Sequence, residues 1–435
     1  MKINKTVAFM TLGCKVNSYE TDGLVKLFKN DGYEIVEFND IADIYIVNTC
    51  TVTNLSSSKS RQMLRRAKRL NPESIVAAIG CYAQKEPDKL LEMDEVDIVL
   101  GNNNKMQILE IVKKYNGDNK KVILDIEKED KVEDIMINET LHKTRAFIRI
   151  QDGCNQFCSY CIIPYVRGRI RSKKMEDILK ETKDLRDNNY KEIVFTGIHV
   201  ASYGKDFDDE EVDLINVLEE ANKIEGVRRL RLSSIEPTFL TEENIIRLSK
   251  IDKLANHFHL SLQSGSDTVL ARMNRKYLTK DYIKVVQLLR EYFNEPAITT
   301  DIIVAFPGET EEEFKETCEF VKTIKFSQVH VFKYSIREGT KAAAMKNQIH
   351  GTLGSERSKT LTKLVNDYEN IYKSSQINKS HFVLFEAYNE DLKVASGLTE
   401  NYLKVNVSSD VDLTNEFIKV DLKTIVNGEI FGNIK

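Results

Sequence analysis

Short apolar segments alternate with amphipathic helical patterns along most of this 435-residue chain, and this alternation restricts the fold more than any other feature. From residue 146 onward, strands are predicted at 147–151, 192–196, 229–233, 258–262, 300–305 and 329–334. Helical patterns separate them at about 175–187, 213–224, 241–250, 278–291 and 310–322. Strands that alternate with helices in this way form parallel sheets. Six βα units, where a closed barrel has eight, predict an open, partial barrel.

The first hundred residues show the same alternation on a smaller scale. Strands are predicted at 6–12, 44–47, 74–79 and 97–100, with helices at about 18–30, 55–70, 83–92 and up to 115. This pattern predicts an N-terminal, doubly wound parallel-sheet domain over residues 1–116.

The rest of the chain divides into a linker, the partial barrel and a β-rich tail. Residues 117–142 are rich in Lys, Asp and Glu and are predicted to be a linker with one or two extended segments. The barrel domain is predicted over 143–374 and ends in a long helix at about 355–373. Residues 375–435 carry short strands at 382–387, 402–407, 417–422 and 429–432, which predict a small all-β barrel. The predicted class is therefore α/β with an added β domain.

Charge and hydropathy exclude several classes of protein. The chain has 63 Lys and Arg residues against 67 Asp and Glu, a net charge of −4, so any nucleic-acid site must be a local basic patch. No apolar run approaches the length of a membrane-spanning helix, and residues 1–13 lack the pattern of a signal peptide. We therefore expect a cytoplasmic protein without a membrane partner. Seven cysteines are too few for a secreted disulfide scaffold and favour metal binding or chemistry.

Three cysteines form a compact motif directly after the first barrel strand. Cys154, Cys158 and Cys161 have the spacing C-x3-C-x2-C. Three thiolates on one loop can hold three irons of a [4Fe–4S] cluster and leave the fourth iron open to a substrate. Structural zinc normally requires four ligands with two-plus-two spacing, which this loop lacks. Active sites of such barrels lie at this end of the strands.

Cys14, Cys50 and Cys81 form a second set, although they lie 36 and 31 residues apart. Each follows a predicted strand, and the carboxyl ends of parallel strands meet at one edge of the sheet. The three thiols are therefore predicted to converge on a second metal site. The alternative is three buried structural cysteines, because free cysteine is often a core residue. Cys318 lies on the apolar face of a predicted helix and is interpreted as a core thiol.

The cysteine loop resembles that of the radical S-adenosylmethionine (SAM) superfamily, and Tyr160 matches the aromatic residue that usually precedes its third cysteine. Both cysteine sets together resemble the methylthiotransferase family of that superfamily over nearly the whole chain. The matching motifs include Thr11-Leu-Gly-Cys-Lys-Val-Asn-Ser-Tyr-Glu, Ile163-Pro-Tyr-Val-Arg-Gly-Arg, Ser233-Ser-Ile-Glu-Pro and Tyr334-Ser-Ile-Arg-Glu-Gly-Thr. The tail resembles the family's TRAM domain, an RNA-binding β-barrel. Ala305 departs from the family pattern, which often has glycine there.

The branches of this family differ in substrate and in their first cysteine motif. Gly13-Cys-Lys-Val-Asn resembles the branch that converts N6-threonylcarbamoyladenosine at position 37 of tRNA to its 2-methylthio form. The alternatives are methylthiolation of isopentenyladenosine in tRNA, usually with Gly-Cys-Gln-Met-Asn, or of a ribosomal-protein aspartate, with Gly-Cys-Pro-Lys-Asn. A radical enzyme with a non-RNA substrate and a non-enzymatic RNA-binding protein with a structural metal are two further alternatives.

The resemblance implies two [4Fe–4S] clusters and two uses of SAM, as methyl donor and as radical source. It implies that Cys154, Cys158 and Cys161 hold the cluster that cleaves SAM, and that Cys14, Cys50 and Cys81 hold the cluster associated with the transferred sulfur. An electron donor such as a flavodoxin or ferredoxin is expected as a partner, together with tRNA. The predicted SAM-binding residues are Tyr160, Thr196, Gly197, Ser234, Glu236 and Gln263. Each could instead be an ordinary polar residue that caps a strand–helix turn.

Two basic groups are candidates for contact with tRNA phosphates. Residues 59–69 hold six basic side chains on a predicted helix, and Arg167, Arg169 and Arg171 follow the cysteine loop. The helix could equally be a solvated surface. The tail has six Lys against nine Asp and Glu, so we expect any RNA contact there to involve a few placed groups, or stacking by Tyr402 or Phe382.

Overall fold

The computed structural model describes residues 5–141, 144–208 and 212–435. Residues 1–4 of the predicted N-terminal domain and the predicted boundary at 142/143 lie outside these residues. The N-terminal part is a six-stranded parallel sheet in the order β2-β1-β3-β4-β5-β6. Its strands are β1 (Thr6–Thr11), β2 (Glu34–Val36), β3 (Ile44–Thr49), β4 (Ile75–Gly80), β5 (Ile98–Leu100) and β6 (Lys120–Val122).

Helices cover both faces of this sheet, as predicted for a doubly wound domain. They are α1 (Lys15–Asn30), α2 (Asn54–Leu70), α3 (Cys81–Lys85), α4 (Pro87–Leu91) and α5 (Ile108–Lys113). On one face Leu24 and Phe28 of α1 pack with Ile46 of β3. On the other, Leu64 and Ala67 of α2 pack under the sheet. Alternate residues of a strand point to opposite faces, so each central strand contributes to both cores.

Strands β2 and β6 were not identified individually in the sequence. Each has three residues and lies at an edge of the sheet, where the apolar pattern is weak. Strand β6 comes from the segment predicted to be a linker with extended pieces. Further along that segment, Ile135 and Ile137 are buried in the core of the central domain.

The central part contains the predicted partial barrel. Its strands are β7 (Arg145–Asp152), β8 (Arg171–Ser172), β9 (Glu192–Gly197), β10 (Arg229–Leu232), β11 (His257–His259), β12 (Ala297–Val304) and β13 (Gln328–Lys333). Six of them are parallel, in the order β7-β9-β10 and β11-β12-β13, and isolated bridges such as Ile235 to Leu260 join the two groups. The short strand β8 pairs antiparallel with β7 at the open edge.

Eight α-helices lie among the described residues of this part. They are α6 (Ile163–Arg167), α7 (Met175–Asp187), α8 (Leu214–Asn222), α9 (Glu242–Ser249), α10 (Asp267–Arg272), α11 (Thr279–Tyr292), α12 (Glu311–Ile324) and α13 (Gly351–Ser375). Several begin at a capping residue. Thr310 starts α12 by accepting a hydrogen bond from the backbone N–H of Glu313, whose side chain bonds back to Thr310 N. Cys318 lies on α12 and packs against the main core, as the sequence indicates.

The C-terminal part is a closed five-stranded barrel in the order β14-β15-β16-β18-β17. Its strands are β14 (Ser380–Asn389), β15 (Val394–Leu398), β16 (Lys404–Ser408), β17 (Phe417–Val426) and β18 (Glu429–Ile434). Strand β15 was not predicted because its middle residues, Ala, Ser and Gly, are poor strand formers. None of the helices in the described part of the chain is long and apolar enough to cross a membrane.

Buried arginines on β10 join this barrel to the central domain. Arg229 Nη2 donates to the carbonyl oxygen of Phe382 at 2.7 Å, and Arg231 Nη2 donates to that of Thr399 at 3.1 Å. The ring of Tyr402 stacks on His257 with centroids 4.7 Å apart, and the Arg231 guanidinium lies 4.8 Å from its centroid. Tyr402 is therefore engaged within the protein, which argues against the predicted stacking on RNA.

Candidate functional site

The loop after β7 brings Cys154, Cys158 and Cys161 together. The backbone N–H of Cys154 bonds to Gly168 O at 3.0 Å, and that of Cys161 bonds to Cys158 O at 2.9 Å. At Gly153, where φ is +71°, a Cβ atom would lie 1.7 Å from Arg169 O. Only glycine fits this turn, which lets the chain double back and close the loop.

The three thiols of this loop interact electrostatically. Burial, with a smaller contribution from the charge of Cys158, raises the pKa of Cys154 to about 11. Burial also raises the pKa of Cys161 to about 12, with additional contributions from Cys158 and Cys154. Neighbouring thiolates thus disfavour ionisation of Cys154 and Cys161, as expected where sulfur atoms face a common space.

Arg275 adds a positive charge that was not identified in the sequence. Its Nη1 donates to Cys158 Sγ at 3.3 Å and its Nη2 to Glu236 Oε2 at 2.8 Å. Glu236 is therefore tied to the cysteine loop through a buried arginine. The sequence signal is only the short basic run around position 275, which resembles any exposed turn.

Cys14, Cys50 and Cys81 follow β1, β3 and β4, which are neighbours in the sheet. Burial, with smaller contributions from the thiolates of Cys81 and Cys14, raises the pKa of Cys50 to about 11. The backbone at Gly13, with φ +104°, comes so close that a Cβ atom there would lie 3.0 Å from Cys50 Sγ. The three strand-end cysteines therefore converge at the edge of the sheet where the predicted second site lies.

Arg167 connects this second set to the central domain. Its Nε donates to Cys81 Sγ at 3.3 Å, and its Nη1 lies 3.0 Å from carboxylate oxygens of both Glu20 and Asp152. Arg171 is also buried, 3.8 Å from Asp152. The sequence-based hypothesis that Arg167 and Arg171 contact tRNA phosphates is wrong, because both are enclosed within this ionic network. Arg169 is exposed.

The two cysteine sets adjoin each other. Cys81 packs with Ile162 and Val166, which follow Cys161 in the chain. A cavity of about 250 Å³, here called the loop cavity, is lined on one side by Tyr160, Cys161 and Gln263. Its other side includes Val52 and Thr53, which follow Cys50. A ligand in the loop cavity would touch both cysteine-bearing loops.

Both cysteine sets offer only sulfur donors, the ligands that hold iron–sulfur clusters. Among the residues that the structure describes, no three His, Cys, Asp or Glu side chains are close enough to share one ion. Ligands of a single zinc ion lie within about 4 Å of each other, since each Zn–S bond is about 2.3 Å. Cluster ligands each bind a different iron and are spaced further apart. Two all-sulfur sets of three, each mutually interacting, suit such clusters.

The predicted SAM-binding residues occupy different positions around this site. Tyr160 and Gln263 line the loop cavity. Glu236 is buried beside Arg275, Thr196 is buried at the end of β9, and Gly197 is half-buried. Ser234 is exposed after β10. Asp301, which the sequence analysis did not single out, also lines the loop cavity, from the middle of β12.

Solved structures with the same fold support this description. A radical S-adenosylmethionine methyltransferase, TsrM from Kitasatospora setae, superimposes with a TM-score of 0.56 at 14% identity, covering 78% of this chain and 77% of that chain. The cobalamin-dependent S-adenosylmethionine radical enzyme OxsB gives a TM-score of 0.51 at 13% identity, covering 85% and 56%. At this level of identity the likeness establishes the fold alone.

Sequence comparisons establish the family. Residues 148–321 match the Radical SAM superfamily, and residues 6–101 match the Uncharacterized protein family UPF0004. The threonylcarbamoyladenosine tRNA methylthiotransferase MtaB of Bacillus subtilis is 42% identical over 96% of this chain and 93% of its own length. MtaB of Aquifex aeolicus is 40% identical over 92% and 96%. A tRNA-2-methylthio-N(6)-dimethylallyladenosine synthase of Clostridium tetani is 36% identical over 97% and 94%. The chain therefore belongs to the radical S-adenosylmethionine methylthiotransferases, in the MtaB branch.

Proposed function

We propose that this protein attaches a methylthio group to C2 of N6-threonylcarbamoyladenosine at position 37 of tRNA. The observation that carries the proposal is the meeting of two three-cysteine sets at the loop cavity. Radical generation and sulfur transfer both need metal-bound sulfur, and here the two sites border one space large enough for a base. The substrate follows from Gly13-Cys-Lys-Val-Asn and from the names of the MtaB relatives.

Cys154, Cys158 and Cys161 hold the [4Fe–4S] cluster that a radical SAM domain uses. When bound, this cluster and SAM supply the one-electron chemistry that activates an inert aromatic C–H bond, and the chain supplies position and exclusion of water. Arg275 contributes by donating a hydrogen bond to Cys158 Sγ, since hydrogen bonds to ligand sulfur tune cluster potentials. The electron comes from a small donor protein such as a flavodoxin or ferredoxin.

A second [4Fe–4S] cluster on Cys14, Cys50 and Cys81 is part of the same proposal. Its support is the convergence of the three thiols and the donation from Arg167 to Cys81 Sγ. The positive charge of Arg167 offsets thiolate charge, while Glu20 and Asp152 hold the guanidinium in place. Because Arg167 comes from the central domain, this contact also keeps the second site in register with the loop cavity.

For SAM we propose Tyr160 and Gln263 as wall residues of the loop cavity. Glu236 is positioned by Arg275 beside the cysteine loop and is suited to accept from an amine or a ribose hydroxyl. Thr196, Gly197 and Ser234, at the ends of β9 and β10, complete the proposed set.

The tRNA approaches over surfaces outside this cavity. Helix α2 exposes a row of basic side chains that suits phosphate contact: Lys59, Arg65, Arg66 and Arg69. We propose that residues 375–435 are a TRAM domain that contributes to RNA binding, with domain boundaries at 116/117, 142/143 and 374/375. A tRNA substrate also places the protein in the cytoplasm.

Nucleoside mass spectrometry of tRNA from a strain that lacks this protein tests the proposal. The 2-methylthio-threonylcarbamoyl nucleoside should disappear, while the 2-methylthio-isopentenyl nucleoside remains. The dimethylallyladenosine synthases among the relatives make the second nucleoside the appropriate comparison. The reverse pattern would refute the proposed substrate.

A further inference from the structure

A second cavity, of about 390 Å³, lies beside the loop cavity and shares Ile162 with it. We call it the arginine cavity because Arg61 of α2 and Arg337 line it. Four cations and two carboxylates line its wall, and one of the carboxylates, Glu86, is paired with Lys89 at 2.5 Å. The other, Glu338, is exposed at the rim.

Arg337 is a buried cation with no carboxylate in direct contact, although the charges of Cys50 and Glu86 act on it from further away. Its guanidinium donates only to uncharged oxygen atoms. The acceptors are the carbonyl oxygen of Thr51 at 3.1 Å, Ser57 Oγ at 3.3 Å, Ser335 Oγ at 3.2 Å and Asn54 Oδ1. Its Nε is buried without a hydrogen-bond acceptor. Within the described ranges, the hydrogen bonds of this guanidinium include none to a carboxylate, and the residue is only 8% exposed. A buried charge in this state is costly unless a ligand supplies the counter-charge.

Arg61 is half-buried and lines the same cavity. Its Nη1 donates to the hydroxyl of Tyr82 at 2.7 Å, and it forms no ion pair with a described carboxylate. Tyr82 thereby orients the guanidinium while leaving its charge uncompensated. Two oriented guanidinium groups at one cavity are the usual protein solution for binding a carboxylate or phosphate.

The arginine cavity lies next to both cysteine sets, and this position indicates which part of the substrate can reach it. Thr51, Tyr82 and Ile162 line it, and each is the residue after a cysteine of the two sites, Cys50, Cys81 and Cys161. A base whose C2 faces the loop cavity would therefore carry its N6 substituent within reach of the neighbouring cavity. The threonylcarbamoyl group ends in a carboxylate, whereas an isopentenyl group is neutral.

We propose that the arginine cavity binds the carboxylate of the N6-threonylcarbamoyl group through Arg61 and Arg337. Arg337 lies in a motif of the whole family, so we assign selection of this substrate to Arg61. This inference rests on the proposed function and assigns its substrate specificity to named residues. A phosphate of the RNA backbone offers similar oxyanion chemistry, but it is present in every tRNA. The two sources are separated by comparing RNAs that differ only at N6 of position 37.

The test measures binding of the full-length, cluster-loaded protein to anticodon stem-loops that carry either threonylcarbamoyladenosine or plain adenosine at position 37. The wild-type protein should prefer the modified RNA. Arg61→Gln should reduce this preference about tenfold, because one charge-assisted hydrogen bond to the carboxylate is lost. Arg69→Gln is the matched control, since Arg69 lies on the same helix but is exposed and does not line the cavity. Because Arg69 is a proposed phosphate contact, its loss should weaken binding of both RNAs equally and leave the ratio of the two affinities unchanged.

The Arg337→Gln variant is a second test, in which both the preference for the modified RNA and the iron content are measured. Loss of preference with full iron content supports the proposal, whereas loss of iron with unchanged preference shows that Arg337 serves the cysteine site and overturns its assigned role. Equal weakening of both RNAs by Arg61→Gln would identify a phosphate contact and overturn the proposal. Methylthiolation of the modified stem-loop is measured separately, so failure of the proposed function is distinguishable from failure of this inference.

Discussion

At the residue scale, the two cysteine sets have different environments and should fail differently when one ligand is lost. Cys158 accepts a hydrogen bond from Arg275 in the barrel loop, whereas Cys50 lies at the end of a strand in another domain. Removing one of three thiolates should empty that site alone.

Cys158→Ala should therefore abolish SAM cleavage. Cys50→Ala should retain roughly 4 iron atoms in place of roughly 8, if both sites hold [4Fe–4S] clusters. With reductant and tRNA under anaerobic conditions, this variant should still form 5′-deoxyadenosine but no methylthio product. Iron, 5′-deoxyadenosine and modified nucleoside are measured for both variants. Full iron and full product from Cys50→Ala would mean that the strand-end cysteines are only core residues.

The backbone conformation at Ala305 explains why the family often has glycine at this position. Its φ is +59°, in the left-handed region that side chains with a Cβ disfavour. Ala305→Gly should relieve this strain and, after the added flexibility of the unfolded chain, stabilise the protein by up to about 1 kcal/mol. The midpoint of thermal unfolding reports the change. A clear decrease would indicate that the alanine methyl contributes packing that outweighs the strain.

At the element scale, buried ion pairs connect the start of β9 to the neighbouring strand β10. Glu192 is fully buried and accepts from Arg229 and Arg231 of β10, at 2.8 Å each. Although burial opposes its ionisation, these two arginines lower the pKa of Glu192 to about 2. The carboxylate therefore stabilises the fold above about pH 4.5, its range in the unfolded chain, and this contribution is lost as the pH falls toward 2.

Glu192→Gln should destabilise the protein at pH 7 by about 3–5 kcal/mol, because two buried arginines lose their anion. The difference in free energy of unfolding between this variant and the wild type should become smaller as the pH falls below about 4.5. Glu219→Gln is a suitable control, since Glu219 pairs with Arg247 at 3.0 Å in a partly exposed position and should cost at most about 1 kcal/mol. Unfolding followed by circular dichroism across this pH range checks both. A pH-independent difference would contradict the charge-based explanation.

At the scale of the whole molecule, the C-terminal barrel is held by backbone acceptors rather than by a flexible tether. Arg229 and Arg231 bond to carbonyl oxygens of this barrel, so its removal would leave two buried guanidinium groups short of acceptors. Deleting residues from about 375 would therefore disturb the central domain as well as any RNA contact. A surface substitution is the sharper test of RNA binding.

Phe382 is the suitable position for it. The ring is 42% exposed and stacks on Phe417 with centroids 5.4 Å apart, which forms an open aromatic surface. Phe382→Ala should weaken tRNA binding about tenfold if a base stacks there, with the unfolding temperature little changed. Val411→Ala, at another exposed apolar residue of the barrel, is the control. Unchanged affinity in the Phe382 variant would exclude this surface from the tRNA interface.

Much of this architecture could be predicted because it depends on neighbouring residues. The six parallel strands of the barrel, the helices between them and the small β-barrel all follow from periodicity within short windows. The convergence of Cys14, Cys50 and Cys81 also followed, since parallel strands place their carboxyl ends at one edge. Strands β2, β6 and β15 were missed because short or small-residue strands depend on their partners more than on their own sequence.

By itself the sequence determined the class of fold, the two cysteine sets and the family, because a motif needs only fixed spacing within contiguous segments. Only the tertiary structure decided which charges face these sites. Arg167, predicted to meet RNA, is buried against Cys81. Arg275, which showed no pattern, lies beside Cys158, and Arg337, which was part of a family motif but had no assigned role, lines the arginine cavity. The physical reason is that a charge acts through distance and burial, and both are set by the packing of segments far apart in the chain.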